Sequence, residues 1–306
     1  MSSAEHLPAR FGEILFATDF SAVSAMALPY AAAIARHFAS SLCVVHVIPP
    51  EDWKHLSEPD RGPALARMRL EAEARVAQIV SDPRFRGVSA NYVLQHGEIL
   101  PVLAAVAEQR RADLIVLGMH GRHGIEKMLL GSLAEEILRL AHLPILVVGP
   151  QVSIAPEAEL KVQRILYAAD FSPGCGRAMH YAGTLARTWQ AHLLLLHVVG
   201  DIWKEPASTR LPSQEFLRMR LLEEGWMRDL EPMQPELLVE FGPVEQRILE
   251  VAERHRVELI VLDVPTTGHP GLVSHLPGPL AYNIASHARC PVLAVRAIAE
   301  SGPGAS

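Results

Sequence analysis

Short, continuous apolar runs alternate along this chain with longer stretches in which apolar residues recur at helical spacing. In the first half the runs occupy 13–17, 42–48, 90–94, 113–117 and 144–148. Between them, Ala-rich or amphipathic stretches of helical length fall at about 22–38, 63–80, 99–110 and 132–141. Apolar runs that do not alternate with polar residues suit strands buried on both faces, the condition of a parallel sheet. Parallel neighbours need crossover connections, so strand and helix in turn predict an α/β unit with helices on both faces of its sheet.

The second half repeats the first. Residues 14–21 read ILFATDFS and residues 165–172 read ILYAADFS, an offset of 151. The same offset brings Tyr30-Ala31 onto Tyr181-Ala182, His46-Val47 onto His197-Val198, and Arg67-Met68-Arg69-Leu70 onto Arg218-Met219-Arg220-Leu221. The match resumes at offset 145, Asp113-LIVL against Glu258-LIVL, and closes at offset 147, Pro144-ILVV against Pro291-VLAV. An ordered series of this kind marks a tandem repeat. The expected organisation is a first unit at 1–150, a linker at 151–161 between Pro150 and the second unit, a second unit at 162–298 and a tail at 299–306. Two tandem five-stranded parallel-sheet units are expected. One continuous ten-stranded sheet is the disfavoured alternative, because each repeat carries its own complete strand and helix set.

Composition narrows the function. With 28 Lys+Arg against 34 Asp+Glu, the 306-residue chain has a formal net charge of -6, which argues against a general nucleic-acid or anionic-membrane binder. Hydrophobic residues at 49% supply a large core. Cys43, Cys175 and Cys290 have no CxxC spacing, which fits a reducing compartment and neither a disulfide scaffold nor a Cys-rich zinc site. The run Leu193–Val199 is interrupted by His197 and is far below the length of a membrane span, and Met1–Arg10 has no apolar signal core, so a cytoplasmic location is expected.

In an open α/β sheet, ligands bind beyond the carboxyl ends of the strands, where strand order reverses. Thr18-Asp19-Phe20-Ser21 follows the first strand of repeat 1. The fourth is followed by a segment running from Gly118 through Gly121, Arg122, Gly124 and Lys127 to Gly131-Ser132. Gly118 and Gly121 lack a Cβ, which permits close backbone approach to a ligand or positive φ. Gly131-Ser132 opens a helix whose free N–H groups favour an anion, with Arg122 and Lys127 on the same loop. Asp19 can accept hydrogen bonds from ribose hydroxyls or an adenine amine. On this chemistry alone, an ordinary glycine-rich turn before a helix remains an equal reading.

The spacing Gly118-x2-Gly121-x9-Gly131-Ser132, with the opening ILFATDFS and the strand ending VVHVI, resembles the nucleotide-binding motif of the universal stress protein family, in its ATP-binding branch. The resemblance covers nearly the whole chain, once per repeat. It implies a stress-response or regulatory protein that binds ATP in repeat 1, with Mg2+ as a conceivable companion at Asp19. Ala17, Thr18 and Asp19 would border the adenosine and Val47 would pack on adenine. Gly118 and Gly121 would admit ribose and phosphates, and Arg122, Gly131, Ser132 and Leu133 would line the phosphate end. No GK[ST] follows the glycines, so this is not a Walker P-loop. The family also implies association through the last strands. Pro144-ILVV and Pro291-VLAV would then pair within the chain as a pseudo-dimer, leaving room for a homodimer of the tandem chain and for an unidentified regulatory protein partner.

Repeat 2 departs from the motif. Gly118 aligns with Asp263 and Gly131-Ser132 with Gly278-Pro279. Asp263 would add a negative charge and a side chain where a phosphate-bearing ligand should approach, and Pro279 removes a backbone N–H at the helix start. One nucleotide site in repeat 1 and a degenerate pocket in repeat 2 are expected, the latter open to a small ligand of another kind. No catalytic residue is assigned, since neither a G-x-S-x-G elbow nor a set able to position water beside ATP is evident. Slow hydrolysis or self-phosphorylation at the same site is the alternative to simple binding. His120 with His123, and His269 with His275, are close in sequence but form no zinc-ligand pattern, so no metal site is expected. His46 and His197 read as core or pocket-wall residues.

Overall fold

The computed structural model describes residues 11–119, 143–152, 162–171, 176–200, 213–226, 230–264 and 277–296. In the first repeat these residues form β1 (Glu13–Ala17), α1 (Ala22–Phe38), β2 (Ser41–Ile48), α2 (Glu58–Val80), β3 (Ser89–His96), α3 (Ile99–Arg110), β4 (Leu114–Gly118) and β5 (Ile145–Val148). In the second they form β6 (Arg164–Ala168), α4 (Gly176–Trp189), β7 (His192–Val199), α5 (Ser213–Glu223), β8 (Glu236–Phe241), α6 (Val244–Arg254), β9 (Leu259–Val264), α7 (Pro277–His287) and β10 (Val292–Arg296). The helix expected at 132–141 lies outside the described residues.

Local chemistry sets the start of β1 and α1. Asp113, just before β4, accepts the backbone N–H groups of Gly12 (2.7 Å) and Glu13 (3.1 Å), fixing where β1 enters the sheet. Glu258 does the same for Gln163 and Arg164 ahead of β6. At the other end of β1, Ser21 caps α1 by accepting the Ser24 N–H at 3.1 Å. The helix then runs through Pro29 and stops at Ala39, which takes a left-handed conformation. α2 begins at Glu58, five residues before the expected start at Pro63. Pro59 provides the favourable proline of the first turn, and Pro63 is carried inside the helix at the expense of one backbone hydrogen bond.

All ten strands join in one sheet, in the order β3-β2-β1-β4-β5-β10-β9-β6-β7-β8. Within each repeat every pairing is parallel, and the β5–β10 junction is antiparallel. The two five-stranded units are therefore present, and their last strands pair as the family resemblance implies. The same pairing produces the ten-stranded sheet that the sequence disfavoured. A complete strand set does not cover the outer edge of its own last strand, whose free N–H and C=O groups need a partner. The other repeat supplies it. Leu146 stands opposite Leu293, its own counterpart at offset 147, so the junction has the register of a two-fold dimer contained in one chain.

Two apolar layers sandwich the sheet, and each spans both repeats. Ile14, Phe16, Val44 and Val116 pack with Tyr30 and Ile34 of α1 and, across the junction, with Leu185 of α4 and Leu293. On the opposite face Leu15, Cys43 and Ile115 pack with Val106 of α3 and with Ile284 of α7. Phe38 and Trp189, counterparts at offset 151, meet at a ring separation of 6.1 Å, and Phe11 stacks on Tyr181 at 6.1 Å. Gly149, just past β5, lies so close to α7 that a Cβ there would run into the Ala285 carbonyl oxygen.

Candidate functional site

In the first repeat the strand order 3-2-1-4-5 reverses between β1 and β4. Thr18 and Asp19 extend from one of these strands, and Gly118 ends the other. The register places Ala17 beside Val45 of β2 and Leu117 of β4, so β1 and β4 end at a common level and β2 runs on past them to Ile48. Ala17 and Val47 pack on the layer that contains α3, and Val47 is 9% exposed. Thr18 turns toward α1, where its Oγ1 bonds Ser24 Oγ at 2.9 Å. Of the predicted site residues, Ala17, Thr18, Asp19, Val47 and Gly118 thus converge on one end of the sheet. Gly121, Arg122, Gly131, Ser132 and Leu133 lie outside the described residues.

The turn carrying Asp19 is held at every residue. The Thr18 N–H donates to the Val45 carbonyl at 3.0 Å, and Thr18 Oγ1 accepts the Phe20 N–H at 3.0 Å. Asp19 Oδ1 accepts the Ser21 N–H at 2.8 Å. Phe20 adopts φ +63°, a left-handed conformation that costs a non-glycine residue energy. The surroundings offset it. The Phe20 ring lies 4.1 Å from the His46 ring, and the Arg75 guanidinium sits 4.3 Å from the Phe20 ring centroid while donating to the Phe20 carbonyl at 3.0 Å. Arg75 belongs to α2, so that helix is pinned over the strand ends.

Electrostatics leave one anion and one neutral ring here. Burial opposes ionisation of Asp19, but hydrogen bonds from the side chain and backbone of Ser21, and from Ser24, outweigh it and hold the carboxyl below its ordinary value. Asp19 is exposed and ionised, an acceptor directed outward. Burial pushes His46 down, against the opposing hydrogen bond of its Nδ1 to the Thr18 carbonyl at 2.8 Å. A carbonyl can only accept, so Nδ1 carries the proton and the neutral ring leaves Nε2 as an acceptor. His46 is a positioning residue of the turn, in keeping with its reading as a pocket wall.

Gly118 is a glycine for a different reason from the one its motif suggests. Its φ is not among the positive values, and a Cβ there would run into the Val23 carbonyl oxygen and lie 2.7 Å from Ser24 Cα. The first turn of α1 fills the space a side chain would need. Close approach of helix to strand is enough to require glycine at this position.

Repeat 2 keeps the Phe and His of this turn and changes what covers the Phe ring. Phe171 has φ +53°, and His197 Nδ1 bonds the Ala169 carbonyl at 2.9 Å. Trp226, the counterpart of Arg75, stacks on Phe171 at 5.9 Å, and Arg220 lies 5.3 Å from the same ring. Sequence reading missed Phe20 and Arg75. The signal available was the repetition of Asp-Phe-Ser and of the His-Val pair, which marks the turn but not the cation above it. Asp263 also departs from expectation. Burial pushes its carboxyl up to about 8, so near neutral pH it is mostly protonated. What it brings to repeat 2 is a side chain and a proton, where a negative charge was expected.

The universal stress protein family profile matches residues 10–149 and again residues 161–296. This chain belongs to the universal stress protein family. A universal stress protein of Methanocaldococcus jannaschii is 33% identical over 150 residues, covering 45% of this chain and 82% of its own length. A universal stress protein of Mycobacterium tuberculosis strain H37Rv is 25% identical over 311 residues, covering 92% of this chain and 94% of its own, and so shares the tandem arrangement. The crystal structure of a universal stress protein from Archaeoglobus fulgidus superposes with a TM-score of 0.67 at 20% identity, covering 93% of this chain and 98% of that one. Family membership supports a role in the stress response. Among the described residues no helix is long and apolar enough to cross a membrane.

Proposed function

We propose that the first repeat binds an adenine nucleotide, ATP in the first instance, and that this universal stress protein acts as a regulatory binder whose occupancy is read by another protein. The observation that carries the reading is Asp19. It is an ionised, outward-facing carboxylate at the point of strand-order reversal, on a turn locked by Thr18, Ser21, His46 and Arg75. A fixed acceptor in that place suits ribose hydroxyls or an adenine amine, and the apolar Ala17 and Val47 beside it suit a purine ring. Gly121, Arg122, Gly131, Ser132 and Leu133 would meet the phosphates, by backbone N–H groups and one guanidinium. Asp19, acting as a hard oxygen donor, could also share a Mg2+ ion brought in with the phosphates.

The test is to heat-denature the purified chain, resolve the released small molecules by anion exchange, and titrate ATP onto wild type, Asp19→Ala and Asp170→Ala. One equivalent of ATP per chain, weakened at least tenfold by Asp19→Ala and unaffected by Asp170→Ala, is expected. Recovery of ADP would shift the reading toward slow hydrolysis. Absence of nucleotide together with no uptake on titration would overturn it.

A further inference from the structure

The two repeats differ at a pair of facing positions. Where repeat 1 has Phe16 and Gly118, repeat 2 has Tyr167 and Asp263. The two changes meet: the Tyr167 hydroxyl donates to Asp263 Oδ2 at 2.7 Å. Tyr167 is fully buried in the layer beneath α4, and the half-buried Asp263 reaches its hydroxyl from β9. Asp263 Oδ1 is shut off from water and has no hydrogen-bond partner among the described residues. The backbone N–H of Ala178, in α4, favours the ionised carboxyl without satisfying that oxygen, and Asp170 opposes ionisation by its like charge.

A carboxyl so placed is cheap to bury with a proton and expensive without one. We infer that Tyr167 and Asp263 form a proton-operated latch between β9 and the N-terminal end of α4. With the proton in place the carboxyl stays beneath the helix. Once the proton is lost, the bare charge is drawn to water and the end of α4 is released with it.

The charged and titratable groups on the surrounding elements do not cancel this. β6 contributes Tyr167, and the turn after it Asp170. α4 contributes Arg177, whose guanidinium donates to the Arg296 carbonyl at 3.4 Å and lies over the Tyr181 ring, and His180 one turn further on. β10 contributes Arg296. Release would be felt by the turn after α5, because Trp226 in that turn packs on the first described residue of α4. A Cβ on Gly176 would stand 3.4 Å from the Trp226 indole nitrogen, and Trp226 stacks in turn on Phe171.

The sign follows from linkage. The folded-state value, about 8, lies above the ordinary 3.8, so the stability that Asp263 contributes is complete below about pH 4 and is lost as pH rises toward 8. Across that window the unfolding constant should rise about tenfold per pH unit on account of this one group. Above it, the carboxyl ionises within the folded protein and the latch opens locally.

The experiment follows Trp226 fluorescence, taken as the difference between the full chain and its Trp226→Phe variant, from pH 6 to 9.5. Amide exchange over 176–184, corrected for intrinsic rates, runs in parallel. A transition centred near pH 8 is expected in wild type and absent in Asp263→Asn, which keeps a neutral group of the same shape. In Tyr167→Phe the midpoint should move up, since the hydrogen bond that favours the carboxylate is gone. A residue that merely filled space would not move that midpoint. No transition in wild type, or one that persists in Asp263→Asn, overturns the latch. If Asp263→Asn fails to fold, an unmoved midpoint in Tyr167→Phe overturns it instead.

Discussion

Gly118 and Asp263 hold equivalent positions at the ends of β4 and β9 in two copies of one unit, and the first shows how tightly α1 is seated. The space where a Gly118 side chain would begin holds backbone atoms of Val23 and Ser24, which cannot rotate away as a flexible side chain could. We predict that Gly118→Ala loses about 1–3 kcal/mol of stability, the range of an overpacked core, with urea unfolding as the measure. Lost ligand binding in such a variant would report a displaced α1 and not a missing ligand contact. Asp19→Ala is the cleaner probe, because the carboxylate is exposed and its loss leaves Ser21 capping α1. Gly118 was visible in the sequence as special, but glycine spacing is the same whether helix or ligand needs the room. The neutrality of Asp263 was invisible there, since it depends on burial, which outweighs the opposing hydrogen bond from Tyr167, 96 residues away.

Elements were most readable where the pattern was strong. β1, α1 and α3 occupy the expected 13–17, 22–38 and 99–110, and Pro29 did not obscure α1 because its apolar face continues on both sides. α2 was read short, because two prolines stood where either could open a helix and only tertiary packing chose between them. This helix also contains Gly62, around whose Cβ position nothing lies within 4 Å. A helical glycine with open space carries the entropic penalty of glycine and none of its steric use. Gly62→Ala should therefore raise stability by about 0.5–1 kcal/mol, seen as a higher urea midpoint with an unchanged slope. The opposite signs expected at Gly62 and Gly118 separate backbone entropy from steric need within a single fold. An equal loss in both would mean that α2 is not seated as described.

At the scale of the whole molecule, the decisive contact is the one between β5 and β10. The repeat was legible from ILFATDFS and ILYAADFS, but the fusion of its two sheets was not, because edge pairing leaves no periodicity in the sequence. Its consequence is that the two apolar layers run unbroken across both units. Neither unit keeps a closed core alone: Leu146 and Leu293 are opposed at the junction, and Phe38 and Trp189 meet beside it. The chain should then unfold in one cooperative transition, as single cores do, in place of two successive ones. Gly149 offers a way to break that cooperativity without touching the strands themselves. It belongs to repeat 1, yet the atom its Cβ would strike, the Ala285 carbonyl oxygen, belongs to α7 of repeat 2. In Gly149→Ala, α7 must lift from the end of β5, at a cost of about 1–3 kcal/mol. Calorimetry should show a lower first transition and a splitting into two, with repeat 2 melting first because the displaced helix is its own. A single transition at the wild-type temperature would mean that the repeats are seated more loosely than the shared layers require, and the ten-stranded sheet would then be two neighbours in contact, without a common core.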